Sequence, residues 1–380
     1  MKSNLLFIVA CLMLCFNLAY AQQSNGIIKV LPYQQNPAPD GITIMWQTNV
    51  PCYSWVEYGT DSINTKVANT LVDGLITSNN FENKIRIKDL KPGTKYYYRV
   101  CSREIKLYQP YKKEFGETEK TQFHSFKTLS NEPSDFTCLI FNDVHNKLDL
   151  FDALYNQVKD VDYDFVFFNG DCFTDLKSDE DALNILAHYN KVINAANKPA
   201  YYLRGNHEIR GAFAMDMPRI FDRETYFAFT FGDTRFVMLD CGEDKPDTTW
   251  VYYGLNDFST YRIQETEWLK KELKSKEFKK AKTHVLIHHI PIYGMRPNSF
   301  NQCLTLWNPV LQKAPFKIAI NAHTQRPAWH PNGTAGNPFP VIVGGGNNDK
   351  SGRVMVLQKK NNKLSIKSID VNGESTVYDL

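Results

Sequence analysis

The sequence predicts two domains in series: an N-terminal β-sandwich, then a C-terminal α/β domain of mixed sheets covered by helices. Three observations carry this. From Gly26 to about Ser130 the chain reads as short strands parted by turn residues, with no helical period. From Asp135 onward, continuous apolar strands alternate with amphipathic helices, the pattern of a sheet buried beneath helices. The 380 residues, 43% hydrophobic and 22% charged, suffice for about two domains and their cores. Disorder, collagen and coiled coil are excluded as global descriptions. Lys plus Arg is 44 against Asp plus Glu at 41, a formal charge of +3. Such a balanced surface gives no electrostatic case for binding nucleic acid or a membrane surface.

The first 21 residues read as a targeting segment. Lys2 is the sole charge before an apolar run from Leu5 to Leu18, and Ala19-Tyr20-Ala21 offers small residues at a cleavage site. This is the pattern of a secretory signal peptide with Gln22 as the mature start. The run is shorter than the ~20 residues that span a bilayer. Leu14 before Cys15 ranks a lipid anchor second. The expected location is therefore periplasmic or extracellular, with no membrane span after cleavage. Six cysteines then remain: Cys52, Cys101, Cys138, Cys172, Cys241 and Cys303. Their spacings contain no C-x-x-C, and in a chain this long they do not form a disulfide framework.

Residues 22–130 carry the sandwich. Ile42, Ile44 and Trp46 alternate onto one face of a half-buried strand. SWVEYG, KIRIKDL, KYYYRV and HSFKTL follow as further strands, and the charged stretch Arg103 to Lys120 reads as a long solvated hairpin. The segment LKPGTKYYYRV, Leu90 to Val100, resembles the E-to-F region of fibronectin type III domains. That resemblance implies a turn at Pro92-Gly93 and a tyrosine corner at Tyr96. It also implies that Cys52 and Cys101 lie at the same end of neighbouring antiparallel strands, which predicts a disulfide between them.

In residues 131–380 the strands end in polar residues. FTCLIF runs into Asn142-Asp143-Val144-His145, FVFF into Asn169-Gly170-Asp171, and YYLR into Gly205-Asn206-His207-Glu208. HVLI runs into His288-His289, and KIAI into Asn321-Ala322-His323-Thr324-Gln325. In such sheets, ligands gather at the carboxyl ends of strands. Carboxylate, amide and imidazole groups delivered by five strands to one edge imply a polynuclear metal site, with donors suited to Zn, Mn or Fe. The loops Ile209 to Asp222 and Asp240 to Tyr253 are expected to line it.

This ordered series resembles the calcineurin-like metallophosphoesterases, whose motifs run D-x-H, G-D, G-N-H-D/E, H and G-H-x-H. With the sandwich in front, the mature chain resembles purple acid phosphatases. The resemblance implies a four-layer αββα domain and a phosphoesterase holding two metal ions ~3.5–4 Å apart. Asp143 and His145 would hold the first metal, Asp171 would bridge both, and Asn206, His289 and His323 would hold the second. His289 rather than His288 fits the H-x-P spacing. A metal-activated hydroxide would attack phosphorus, and His207 would protonate the leaving oxygen. Glu208 would either support an imidazole or form a surface salt bridge. The substrate class is a small phosphate monoester or diester.

Ala322 stands for the glycine of G-H-x-H, and two positions that bear chemistry depart from the family. Gln325 replaces the final histidine of G-H-x-H, so the first metal would gain at best a neutral amide oxygen and bind weakly. A degenerate relative that binds or scaffolds is the alternative reading. Thr174 stands where purple acid phosphatases carry the tyrosine that binds iron. A metal-loaded sample should therefore lack the strong visible band of an iron–phenolate pair. A purple preparation would place another tyrosine on the metal.

Overall fold

The computed structural model describes residues 26–380. The expected signal peptide, residues 1–21, lies outside them. Among the described residues, no helix is long and apolar enough to cross a membrane.

The N-terminal domain comprises β1 (Ile28–Ala38), β2 (Gly41–Gly59), β3 (Lys66–Ala68), β4 (Leu71–Val72), β5 (Leu75–Ile76), β6 (Ser78–Ile87), β7 (Lys95–Gln109), β8 (Lys112–Lys120) and β9 (His124–Lys127). The two strands expected around residue 50 are one 19-residue strand, β2. Its first half pairs with β1 and β6, and its second half with β3 and β7. A register shift between Gln47 and Cys52 separates the halves. The bulged strand thus turns one continuous sheet into two packed layers. Ile42, Ile44, Trp46, Ile85 and Ile87 from one layer meet Val56, Tyr98, Val100 and Phe126 from the other in a buried core. The Tyr96 hydroxyl accepts the backbone N–H of Lys91 at 3.0 Å, the tyrosine corner expected from the sequence.

The expected Cys52–Cys101 disulfide is not present; both thiols are free and buried. The strand pairing is the predicted one, but the register is not. Cys52 lies opposite Glu104, and Cys101 lies opposite Trp55. An offset of three rungs is odd, so the two side chains point to opposite faces of the sheet.

The C-terminal domain has two six-stranded mixed sheets. Its first strands are β10 (Phe136–Phe141), β11 (Phe165–Asn169) and β12 (Ala200–Leu203). The chain continues through β13 (Phe227–Phe231), β14 (Thr234–Leu239), β15 (Thr283–His288), β16 (Ile318–Asn321), β17 (Ala328–His330) and β18 (Val341–Val343). It closes with β19 (Arg353–Lys360), β20 (Lys363–Asp370) and β21 (Ser375–Asp379). One sheet runs β12-β11-β10-β19-β20-β21 and the other β13-β14-β15-β16-β18-β17. Alternate residues of each strand bury against different layers, which explains why these strands are apolar throughout. Cys138, Ile140, Phe165 and Phe167 pack between the sheets against Phe236, Met238, Val285 and Ile320. Leu139, Phe141, Val166 and Phe168 face outward onto the helices Leu148–Asn156 and Asp179–Val192. On the far side, Val237, Leu286 and Ala319 meet the helices Phe258–Glu272 and Gln302–Leu311 through Leu269, Trp307 and Leu311. The expected four layers, αββα, result.

The two domains share a core. Val30, Tyr33 and Met45 of the sandwich pack among Tyr202, Met217 and Ile220. The Tyr33 hydroxyl donates to the Ile220 carbonyl at 2.8 Å, and Tyr98 donates to the Ala196 carbonyl at 2.7 Å. Gln34 Nε2 reaches the same Ala196 carbonyl at 2.7 Å.

Two outcomes follow from this packing. Thiol titration of the unreduced, denatured protein should label Cys52 and Cys101 fully. Tyr33→Phe removes the buried donor to Ile220 and should cost about 1–3 kcal/mol in urea unfolding; an unchanged midpoint would show that water satisfies that carbonyl.

Candidate metal centre

The carboxyl ends of β10, β11, β12, β15 and β16 converge, and the loops that follow are laced by backbone bonds. Asp143 N donates to Gly170 O at 3.0 Å, and His145 N donates to Asp171 O at 2.9 Å. Ala322 N donates to His289 O at 2.9 Å. The backbone is forced into the left-handed region at Asp143, His145, Asp171, His323 and Gln325, with φ between 48° and 68°. Such conformations are costly for residues other than glycine and cluster at functional sites. Gly170 and Gly205 are needed for a different reason. A Cβ at Gly170 would fall on the His289 ring, and one at Gly205 on the Asp171 carboxylate. Glycine in the G-D and G-N-H motifs therefore lets the loops close on the His289 and Asp171 side chains.

Asp171 is central. Its Oδ2 lies 3.1 Å from His289 Nε2 and 3.7 Å from His145 Nε2. Its Oδ1 accepts the His207 backbone N–H at 2.9 Å. Asp171, His289 and His323 bring ligand atoms within 4.8 Å of one another. Asn206 joins them, its Oδ1 2.9 Å from His323 Nδ1. Asp143 stands across Asp171, with Oδ1 3.7 Å from His145 Nε2.

These groups fit a cation. His289 Nδ1 is 2.8 Å from the Asn169 carbonyl, which can only accept, so the neutral ring carries its proton on Nδ1. Nε2 then presents a bare lone pair to a carboxylate oxygen at 3.1 Å, and is buried with no hydrogen-bond partner. Two electron pairs face each other unless a proton or a metal lies between them. Burial pulls the His289 pKa down, but the Asp171 charge outweighs it and raises it to about 10. The same imidazole helps hold the Asp171 carboxyl well below its ordinary range despite burial. Burial and the adjacent His289 charge lower His323 to about 4, leaving it neutral and able to bind metal at neutral pH.

His288 has no part in this cluster. Its Nδ1 is 2.8 Å from the Ile290 carbonyl, and burial lowers its pKa to about 4. His207 stands at the edge, its ring 4.7 Å from that of His145. It also brings a ligand atom within 4.8 Å of His145 and Asp171. Arg210 Nη1 lies 3.3 Å from His207 Nε2. Because guanidinium only donates, the His207 proton belongs on Nδ1, which has no hydrogen-bond partner among the described residues and lies 3.7 Å from Asp175 Oδ1. The loops 209–222 and 240–253 reach the site through Arg210, beside His207, and Asp244, whose Oδ2 lies 3.9 Å from His323 Nε2; Glu243 grips Arg210, and Tyr252 donates to Glu243.

Three supports were not legible in the sequence. Thr174 Oγ1 lies 2.8 Å from His145 Nδ1 and so turns His145 Nε2 toward Asp143 and Asp171. Glu208 is neither an imidazole partner nor a surface ion. It is buried, and it accepts the backbone N–H groups of Asp171, Cys172, Phe173 and Gly205 at 2.7–2.9 Å. The loop Gly344–Asn347 closes the far wall, where Asn347 N donates to Gln325 Oε1 at 2.7 Å. Three consecutive glycines there were the one available sign of a close backbone approach.

A family model described as calcineurin-like phosphoesterase matches residues 136–327. Another, the N-terminal domain of purple acid phosphatase, matches residues 30–128. No curated protein matches the sequence. Among solved structures, the purple acid phosphatase PPD1 of yellow lupin (Lupinus luteus) superposes with a TM-score of 0.65 at 16% identity, over 93% of this chain and 74% of that one. PhoD superposes with a TM-score of 0.61 at 11% identity, over 92% and 88%. A dimetal phosphatase from Danio rerio gives 0.50 at 14%, over 64% and 98%. At these identities the structural likeness is one of fold. The family match spans half of the chain and every strand end described above, so the chain belongs to the calcineurin-like phosphoesterase family of metal-dependent phosphoric ester hydrolases, with a purple acid phosphatase-type domain in front.

Proposed function

We propose that this protein is an exported phosphoesterase hydrolysing small phosphate monoesters or diesters at the edge where Asp171 meets His289. The observation that carries the reading is the buried pair Asp171 Oδ2 and His289 Nε2, 3.1 Å apart, with Nδ1 turned to the Asn169 carbonyl so that Nε2 faces the carboxylate, where a proton or a metal ion would lie. Asp171, Asn206, His289 and His323 would hold one ion of Mn, Zn or Fe. Asp143, His145 and Asp171 would flank a second position, with Gln325 as its remaining wall. Such a metal supplies Lewis-acid polarisation of the phosphoryl group and an acidic bound water.

The chain's own residues do the rest. Asn169 O holds the proton of His289 on Nδ1, and Thr174 orients the His145 ring. Glu208 holds the loop of Asp171 against that of Asn206. His207 would act as the general acid, with Arg210 orienting the ring from Nε2 and Asp175 3.7 Å from Nδ1. Burial lowers the His207 pKa, and Arg210 and His145 add to this against the opposing charges of Asp171 and Asp175. Export rests on the pattern of residues 1–21.

A chromogenic phosphate ester assayed with added Mn, Zn or Fe tests the activity. His207→Ala should lower kcat by about 10²–10⁴-fold while the bound metal stays. Asp171→Ala should abolish both activity and metal retention. A wild-type chain inactive with every metal would favour the binding or scaffolding reading.

A further inference from the structure

The first metal position contains a group that the second lacks. Gln325 extends from a left-handed residue, φ 60°, into the space beside Asp143 and His145. Its Nε2 lies 2.6 Å from Asp143 Oδ1 and 3.1 Å from His145 Nε2. Its Oε1 accepts the Asn347 backbone N–H at 2.7 Å. These partners agree on one orientation of the amide. Asn347 N–H can only donate, so it demands the oxygen; Asp143 Oδ1 can only accept, so it demands the nitrogen. With the Thr174 hydroxyl 2.8 Å from His145 Nδ1 and free to accept its proton, His145 Nε2 can accept from the same amide nitrogen. A flipped amide would set oxygen against carboxylate and N–H against N–H.

The seat is also shaped to hold this orientation. A Cβ on Gly346 would come within 2.7 Å of Gln325 Oε1 and 2.8 Å of the Gln325 carbonyl. The other Asp143 oxygen is taken as well. Oδ2 accepts His323 N at 2.8 Å and Asn142 Nδ2 at 2.9 Å. Asp143 therefore has both oxygens satisfied by neutral donors, whereas in the second group no side-chain amide nitrogen of the described residues bonds the carboxylate or imidazole groups. An amide nitrogen is no ligand, because its lone pair is delocalised. Coordination through oxygen would require the side chain to turn over and leave Asn347 N–H unpaired.

Resting on the phosphoesterase reading, we infer that the Gln325 amide takes the place of the first metal ion. The chain then holds one tightly bound metal, at Asp171, Asn206, His289 and His323. Two N–H bonds from Gln325 do part of what a cation would do there: they offset the Asp143 charge and fix the His145 ring.

Metal counting and Mn(II) electron paramagnetic resonance on the full-length chain test this without any substrate. Wild type saturated with Mn(II) and then gel-filtered should retain one equivalent with an uncoupled spectrum. Gln325→His, and the nearly isosteric Gln325→Glu as a second variant folded in the presence of metal, should gain another equivalent and show exchange coupling between two ions. Wild type retaining two coupled ions would overturn the inference and leave the phosphoesterase reading intact. Variants that fold but still hold one ion would also overturn it, since Gln325 would not be what excludes the metal. Wild type retaining none would instead overturn the metal-dependent reading itself, and this inference with it.

Discussion

The site depends on one buried carboxylate whose hydrogen bonds go to backbone amides. Glu208 receives four backbone N–H groups, three from the loop after β11 and one from the loop after β12. Hydrogen bonds to a charged acceptor contribute roughly 1.5–3 kcal/mol each, and removing the acceptor would leave four donors unpaired. The relative position of Asp171, Asn206 and His207 is thereby set by a single side chain. Its own ionisation is opposed: burial and the Asp171 charge raise the Glu208 pKa to about 7, against the pull of the amides. Two carboxylates are kept this close by the positive charge their neighbourhood gathers, first on His289 and then on any bound metal.

Much of this was readable from residue order because parallel strands deliver their last residues to one edge. The choice of His289 over His288 rested on a proline two positions later, and the structure turns His289 toward Asp171 and His288 toward the Ile290 carbonyl. The tyrosine corner at Tyr96 was legible for the same reason: a local motif fixes a local bond. What the sequence hid was non-local. The Cys52 register depends on a bulge that no residue type announces. Glu208 binds amides, which have no side-chain identity. The orientation of Gln325 is dictated by Asn347, 22 residues further on, across a glycine loop.

The sandwich is more than an appended module. Its Tyr33, Met45 and Val30 complete the core beneath the helix Asp179–Val192, on the outer face of the sheet whose inner strands carry Asp143 and Asp171. Gln34 and Tyr98 converge on one carbonyl, Ala196, in the turn that leads into β12 and so to Asn206 and His207. Through that turn the two domains fold as neighbours with shared buried surface, and the first supports the strand from which the second presents Asn206 and His207.

The left-handed residues give the site an evolutionary fragility. Asp143, His145, Asp171, His323 and Gln325 each occupy a conformation that costs a side chain roughly 1–2 kcal/mol and glycine almost nothing. Replacement by glycine at these positions would relieve backbone strain while deleting a functional group. Drift under selection for stability alone would run toward a better-folded, inert protein. Thermostable clones recovered from a random library would accordingly be enriched in inactive ones, and a histidine or aspartate persisting at such a position across a lineage would measure how long the chemistry had been under selection.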